Sequence, residues 1–274
     1  VPVVARIAPT PSGYLHLGNA ANFALNALLA GAEGELLLRI DDLDRARFRP
    51  EYLADVFRLL DWLGLRPTQG PEDPADFHAH WRQELRMPQY LDALEHLRGH
   101  PAVFACPCSR SDLAGGQHRY GCPTAGIDLD AADVSWRVAT DAFSAGIYLP
   151  DLVDPAGFRV AVHEEVPDFV IRKKDGTPSY QLACTVDDVL FGVTHVGRGQ
   201  DLLPSTAAQA ILSDLLGYAP LVERITFLHH PLLLAGDGEK LSKSAGAQSA
   251  PGLGEGIDRE AVFALARGWM AGGE

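Results

Sequence analysis

The chain has 274 residues, 47% hydrophobic and 22% charged, with a formal net charge of −13. That length supports a full core plus a smaller inserted unit, and the composition excludes a disordered or fibrous chain. The acidic balance argues against a general nucleic-acid binder, whose affinity comes mostly from neutralising phosphates.

A local basic face is compatible with that balance, at Arg172-Lys173-Lys174 and among the arginines from Arg39 to Arg49. No apolar run approaches the roughly 20 residues of a membrane span. The start, Val1-Pro2-Val3-Val4-Ala5-Arg6, lacks the flanks of a signal peptide. A cytoplasmic, monomeric protein with no membrane partner is expected.

In chain order, residues 3–8 read as a buried strand, broken by Pro9-Thr10-Pro11-Ser12-Gly13. Residues 17–30 hold Ala, Leu and Asn with no Pro, and no Gly after Gly18, which predicts a helix. Leu36-Leu37-Leu38-Arg39-Ile40 reads as a second buried strand. After Pro50, Leu53, Val56, Phe57, Leu60 and Leu63 recur at helical spacing, and Trp81, Leu85, Leu91, Leu94 and Leu97 predict a further helix before Gly99. Strand–helix–strand–helix order implies an α/β fold with a parallel sheet.

From residue 101 the pattern changes. Phe169-Val170-Ile171-Arg172 and Ser179-Tyr180-Gln181-Leu182 flank Asp175-Gly176, a hairpin signal. Residues 101–180 therefore read as an insertion between two halves of one Rossmann-type catalytic domain, 1–100 and 181–274. Cys184 falls in a predicted strand as a small buried hydrophobe. Residues 193–196, 205–216 and 225–228 read as strand, helix and strand, and 236–256 as a mobile Gly-, Ser- and Lys-rich loop.

Three constellations carry chemistry. In Ala8-Pro9-Thr10-Pro11-Ser12-Gly13-Tyr14-Leu15-His16-Leu17-Gly18-Asn19 a strand ends and a helix begins near His16. Helix starts offer backbone N–H groups and a positive dipole end to phosphates. Gly18 allows close approach to the backbone, and His16 can donate a hydrogen bond where charge develops. In Glu239-Lys240-Leu241-Ser242-Lys243-Ser244, two lysines in a flexible stretch can close over a pyrophosphate leaving group. Read alone, each fits an ordinary structural His and an ordinary charged loop. Finally, Cys106, Cys108 and Cys122 lie within seventeen positions. In a reducing compartment that clustering favours zinc over a disulfide, with His118 or Tyr120 as fourth donor.

Together, the His16-Leu17-Gly18-Asn19 and Lys240-Leu241-Ser242-Lys243-Ser244 motifs resemble the two nucleotide-binding motifs of class I aminoacyl-tRNA synthetases. Arg6-Ile7-Ala8-Pro9-Thr10-Pro11-Ser12-Gly13, Leu38-Arg39-Ile40-Asp41-Asp42-Leu43-Asp44 and Val186-Asp187-Asp188 through Gly197-Arg198-Gly199-Gln200-Asp201-Leu202 resemble its glutamyl branch. The resemblance runs from about residue 3 to 245. It implies that Arg6, Ala8 and Thr10 hold the amino acid, that Asp41 takes its α-ammonium, and that Tyr180 and Arg198 read its side-chain carboxylate. It also implies that His16, Gly18, Asn19 and Lys243 serve ATP–Mg²⁺, with Lys240 in the same loop. The family usually has Glu at the position of Asp41.

A subset of the family binds zinc through Cys-x-Cys, a tyrosine and a last Cys. The tyrosine is expected four residues before that Cys, where this chain has His118, whereas Tyr120 precedes Cys122 by two. Only residues 245–274 follow the lysine loop, which resembles stand-alone synthetases that load glutamate onto the queuosine base of aspartate tRNA without needing tRNA for activation. The implied partners are L-glutamate, ATP and queuosine-containing aspartate tRNA. The alternatives are a truncated glutamyl-tRNA synthetase and an inactive paralogue acting as a binding module.

Overall fold

The computed structural model describes residues 2–109, 111–113, 118–143, 145–233 and 258–273. Lys240, Lys243 and the whole loop expected at 236–256 lie outside them. The first half runs β1 (Val4–Ile7), α1 (Leu17–Ala30), β2 (Glu35–Leu38), α2 (Pro50–Leu63), a short α3 (Pro74–Asp76) and α4 (Met87–Leu97). Next come β3 (Val103–Cys106), β4 (Ser135–Val138), β5 (Ile147–Leu149), β6 (Phe158–Val160), α5 (Val162–Glu165) and β7 (Phe169–Arg172). The chain closes with α6 (Tyr180–Leu190), β8 (His195–Gly199), α7 (Leu203–Leu215), α8 (Leu221–Arg224), β9 (Thr226–His230) and α9 (Arg259–Met270).

The expected parallel sheet is present, in the order β2-β1-β8-β9 with every neighbouring pair parallel. β1-α1-β2 winds to one side of β1 and β8-α7-β9 to the other. The order therefore reverses between β1 and β8, and open α/β sheets form their ligand crevice beyond the strand ends at such a point. The chain between β2 and β8 supplies a separate antiparallel sheet, β3-β4-β7, and the β5-β6 hairpin.

Local chemistry sets the element ends. α1 starts at a reciprocal cap: the Gly18 N–H donates to His16 Nδ1 (3.1 Å) and the His16 N–H to Asn19 Oδ1 (3.0 Å). α2 opens with Pro50 and stops at Gly64, whose φ of 68° is left-handed. α1, α2 and α9 pack around Phe23, Leu25, Leu53, Leu60 and Trp269, while α4, α6 and α7 share a second core with Trp136.

Two expectations are corrected. The helix expected through Trp81 to Leu97 is interrupted: a π turn (Phe77–Trp81) and a 3₁₀ turn (Gln83–Arg86) precede α4. Pro88 has no N–H and its ring meets the carbonyl four residues back, so one α-helix cannot run through it. The expected hairpin also stops short. Gly176 makes the turn at φ 85°, but beyond it only Pro178 bridges back to Arg172. Ser179 then caps a helix, its Oγ accepting from the Leu182 N–H at 3.3 Å. Cys184 thus lies in α6, not in a strand, although it is buried as expected.

Candidate active site

A cavity of about 460 Å³ opens where β1 and β8 end, lined by Arg6, Ala8, His16, Gly18, Asn19, Tyr180 and Arg198 among others. These residues come from strand ends, the start of α1 and the start of α6, and they include most of the positions singled out from sequence. Thr10 and Asp41 do not line it.

Arg198 is 4% exposed and 6% is left on Arg6. Arg6 Nε stands 2.9 Å from Asp188 Oδ1, an ion pair by distance whose N–H is not aligned as a hydrogen bond. Its Nη2 is buried without a partner among the described residues. Arg198 differs. Its Nη1 donates to Thr206 Oγ1 (3.1 Å) and Gln209 Oε1 (3.1 Å), both neutral. Its Nε has no partner, and no carboxylate pairs with it, among the described residues. Burial, and then the neighbouring Arg6, lower its pKa below the ordinary arginine value. A buried guanidinium without a counter-charge is costly, and an anionic ligand in the cavity would supply one.

The ion-pair floor beneath these arginines was not read from sequence, although Arg39, Asp41, Asp187 and Asp188 lie within the quoted motifs. Arg39 donates to Asp188 Oδ1 (2.6 Å) and to Asp41 through Nε (2.7 Å) and Nη2 (3.1 Å). Asp187 takes Arg86 (2.8 Å and 3.0 Å), Tyr90 Oη (2.8 Å) and Gln83 Nε2 (3.2 Å). Burial alone would raise the Asp188 pKa, but Arg6 and Arg39 reverse it and hold the carboxyl below its ordinary value. Burial pushes the Cys184 thiol, 3.7 Å from Asp41, up to about 12, so it stays protonated. Asp41 is therefore bound two-handed by Arg39 and set back from the cavity. Arg39 itself is a buried ion-pair residue and no part of a basic surface.

At the cavity rim, His16 Nδ1 accepts from Gly18, so the neutral ring carries its proton on Nε2. The glycine roles change. A Cβ on Gly18 would meet the His16 ring at 3.1–3.2 Å, so this glycine first of all makes room for the histidine. A Cβ on Gly197 would meet Leu25 at 2.7 Å, so that glycine lets β8 pack on α1.

Away from the cavity, the donor atoms of Cys106, Cys108, His118 and Cys122 all lie within 4.8 Å of one another. Cys108 and Cys122 Sγ are 3.6 Å apart, and Cys106 Sγ lies 3.3 Å from His118 Nδ1. Zinc bonds of about 2.0–2.3 Å give tetrahedral edges of roughly 3.3–3.8 Å, which these two separations match, and three thiols with an imidazole are donor types the ion takes. His118 Nε2 meets Asp168 Oδ2 at 3.1 Å, the carboxylate–histidine pairing that orients metal-binding imidazoles. Tyr120 is 52% exposed and stands beside Arg119. Of the two candidates for fourth donor, the geometry thus favours His118.

The sequence profile described as tRNA synthetases class I (E and Q), catalytic domain, matches residues 2–124 and 134–271. A glutamyl-Q tRNA(Asp) synthetase of Symbiobacterium thermophilum is 38% identical over 267 residues, spanning 90% of this chain and 80% of that protein. One from Nitratidesulfovibrio vulgaris is 36% identical, spanning 87% and 76%. Glutamate–tRNA ligase 2 of Acidithiobacillus ferrooxidans is 36% identical, but this chain spans only 53% of its length. Among solved structures, the glutamate-tRNA synthetase of Elizabethkingia anophelis superposes with a TM-score of 0.69 at 26% identity, covering 89% of this chain and 53% of that one. No helix among the described residues is long and apolar enough to cross a membrane.

Proposed function

We propose, for a chain that belongs to the family of class I glutamyl- and glutaminyl-tRNA synthetase catalytic domains, that it activates L-glutamate with ATP–Mg²⁺ and passes the glutamyl group to the queuosine base of aspartate tRNA. The observation that carries glutamate is Arg198: a buried guanidinium whose hydrogen-bond partners among the described residues are neutral, lining a cavity beside Arg6. The choice of acceptor rests on the two glutamyl-Q relatives, of which this chain spans 80% and 76%.

In this reading Arg198 and Tyr180 take the side-chain carboxylate, while Arg6, Ala8 and Thr10 hold the amino-acid end. Asp41, set back on Arg39, reaches the α-ammonium through a bridging group rather than directly. The α-carboxylate attacks the α-phosphate of ATP, a P–O bond forms, and the bond to pyrophosphate breaks. His16 donates from Nε2 to the phosphates at the α1 N-terminus, beside Gly18 and Asn19, where the helix dipole favours negative charge. Lys240 and Lys243, outside the described residues, are assigned to the leaving pyrophosphate. Zinc, held by Cys106, Cys108, His118 and Cys122, would brace the inserted segment and take no part in the reaction.

The test is glutamate-dependent ATP–pyrophosphate exchange without tRNA, followed by transfer of labelled glutamate. Three acceptors are compared: aspartate tRNA with queuosine, aspartate tRNA without it, and glutamate tRNA. Exchange without tRNA, and labelling of the queuosine form only, are expected. Exchange that requires tRNA, or charging of glutamate tRNA, favours instead the ligase reading suggested by the Acidithiobacillus relative.

A further inference from the structure

Arg198 and His229 are register partners on the parallel strands β8 and β9, so their side chains leave the sheet on the same face. Thr206, on the first turn of α7, stands between them. Its Oγ1 accepts from Arg198 Nη1 at 3.1 Å and lies 3.0 Å from His229 Nε2. His229 Nδ1 lies 3.0 Å from Asp151 Oδ2, and the same carboxylate oxygen accepts the His229 backbone N–H at 2.8 Å. The His229 and Asp151 side chains are fully buried. Phe227 stacks on the imidazole with ring centroids 5.4 Å apart, Phe158 meets it edge-on at 5.5 Å, and the Arg198 guanidinium sits 5.7 Å from the Phe227 ring. None of Asp151, Thr206 or His229 lines the cavity that holds Arg198.

Asp151 is an acceptor, so His229 carries its proton on Nδ1 and donates it there, leaving Nε2 to accept. The Thr206 hydroxyl has two acceptors for its one proton, His229 Nε2 at 3.0 Å and the Leu202 carbonyl at 3.1 Å, and keeps an oxygen lone pair for Arg198. Gln209, which bonds Gln181 Oε1 at 3.2 Å, gives Nη1 a second neutral acceptor. A carboxylate placed directly on Arg198 would orient it equally well but would cancel the charge the cavity needs. Two neutral groups between the carboxylate and the guanidinium transmit direction without that cancellation.

We propose that His229 is a positioning residue for Arg198: anchored by Asp151 and acting through Thr206, it holds the guanidinium in the orientation that receives the ligand's side-chain carboxylate. This rests on the reading of the cavity as a glutamate site. The consequence is that disrupting the line weakens glutamate binding while leaving ATP binding in place, because none of the ATP-assigned residues among the described ones bonds to Asp151, Thr206 or His229.

The experiment uses the full chain with two readouts. The side-chain Nε–H resonance of Arg198, identified by its loss in Arg198→Ala, reports order without any ligand. Glutamate-dependent pyrophosphate exchange reports KM and kcat. In Thr206→Val, nearly isosteric but without the hydroxyl, Nε–H exchange with solvent should quicken and glutamate KM should rise about tenfold, the scale of one hydrogen bond to a charged group. KM for ATP should hold within about twofold. Thr206→Ser should restore both readouts. His229→Gln is measured alongside and should show both changes; a folded His229→Gln with wild-type exchange and glutamate KM overturns the proposal, because the Leu202 carbonyl would then suffice to hold Thr206. A folded variant with unchanged Nε–H exchange, or with changed exchange but unchanged glutamate KM, overturns the proposal. Wild-type protein without glutamate-dependent exchange would instead defeat the glutamate reading, and the resonance measurement would still decide whether the line orders Arg198.

Discussion

Arg6 and Asp188 meet at 2.9 Å beneath the cavity, and the same carboxylate oxygen receives Arg39 at 2.6 Å. One buried carboxylate thus meets two buried guanidiniums, from β1 and from just beyond β2, although it lies in α6, far along the chain; Arg39 is held by Asp41 as well. Its own pKa is held low by those arginines, which means that ionised Asp188 stabilises the folded state.

Asp188→Asn should therefore be severely destabilising. Removing one partner of a buried pair costs about 3–5 kcal/mol, and at this chain length that corresponds to a fall in Tm of roughly 10 °C. Thermal melts at neutral pH check it. A loss within about 2 °C would mean that Arg6 and Arg39 do not depend on Asp188 for their charge balance.

Arg198→Ala should remove the discrimination between glutamate and glutamine. The two ligands are nearly the same shape, so charge must separate them, and Arg198 has no carboxylate partner among the described residues to blunt its charge. A loss of about two to three decades in kcat/KM for glutamate is expected, with a much smaller loss for glutamine. Competitive pyrophosphate exchange with the two amino acids measures the ratio. An unchanged ratio removes Arg198 from the specificity assignment.

What sequence reasoning could see here followed range. Periodicity and breaker residues placed α1, α2 and the strands of the parallel sheet, because those signals lie within one element. The hairpin reading of residues 169–182 failed at Ser179, where a capping hydroxyl outweighed the Asp175-Gly176 turn signal. The ion-pair floor gave no local signal, since Arg39 and Asp188 are 149 residues apart. Arg39 looked like a member of an arginine-rich surface stretch until its partners were placed. The Asp151–His229–Thr206 line was silent for the same reason. For the fourth thiolate-cluster donor, spacing left two candidates, and only geometry separates half-buried His118, whose Nδ1 lies beside Cys106 Sγ, from exposed Tyr120.

Zinc retention separates those candidates in solution. His118→Ala should lower the zinc content of protein purified without chelators and lower Tm, since structural zinc contributes folding free energy directly. Tyr120→Phe should keep both at wild-type values. Asp168→Asn, which weakens the contact to His118 Nε2 but leaves every ligand atom in place, should bind zinc about 10–100-fold more weakly. Metal analysis and competition with a chromogenic chelator give these numbers. Full zinc content in His118→Ala together with loss in Tyr120→Phe would reverse the ligand assignment.

Stability should fall as the medium becomes mildly acidic, and buried histidines set the window. Burial lowers the pKa of His195, His229 and His230 below the ordinary histidine value; for His229 the Asp151 hydrogen bond opposes this, while Arg198 adds to it. In the unfolded chain these rings take up protons near pH 6.5. The folded chain takes them up only at lower pH, so between those points the unfolded state binds more protons and stability rises with pH. The contribution is fully present above about pH 6.5 and is lost as pH falls through the folded values. Asp151 and Asp188, both held low, act with the same sign in the carboxylate range, whereas Asp42 and Asp214, held high, act against it. Tm measured from pH 8 to 5 should be level at first and then decline below about pH 6.5. His230→Gln, which cannot take up a proton, should make that decline shallower, because one of the three suppressed protonations is gone. A wild-type Tm that stays constant down to pH 5, or a decline no shallower in His230→Gln, would show that these rings titrate alike in the folded and unfolded chains.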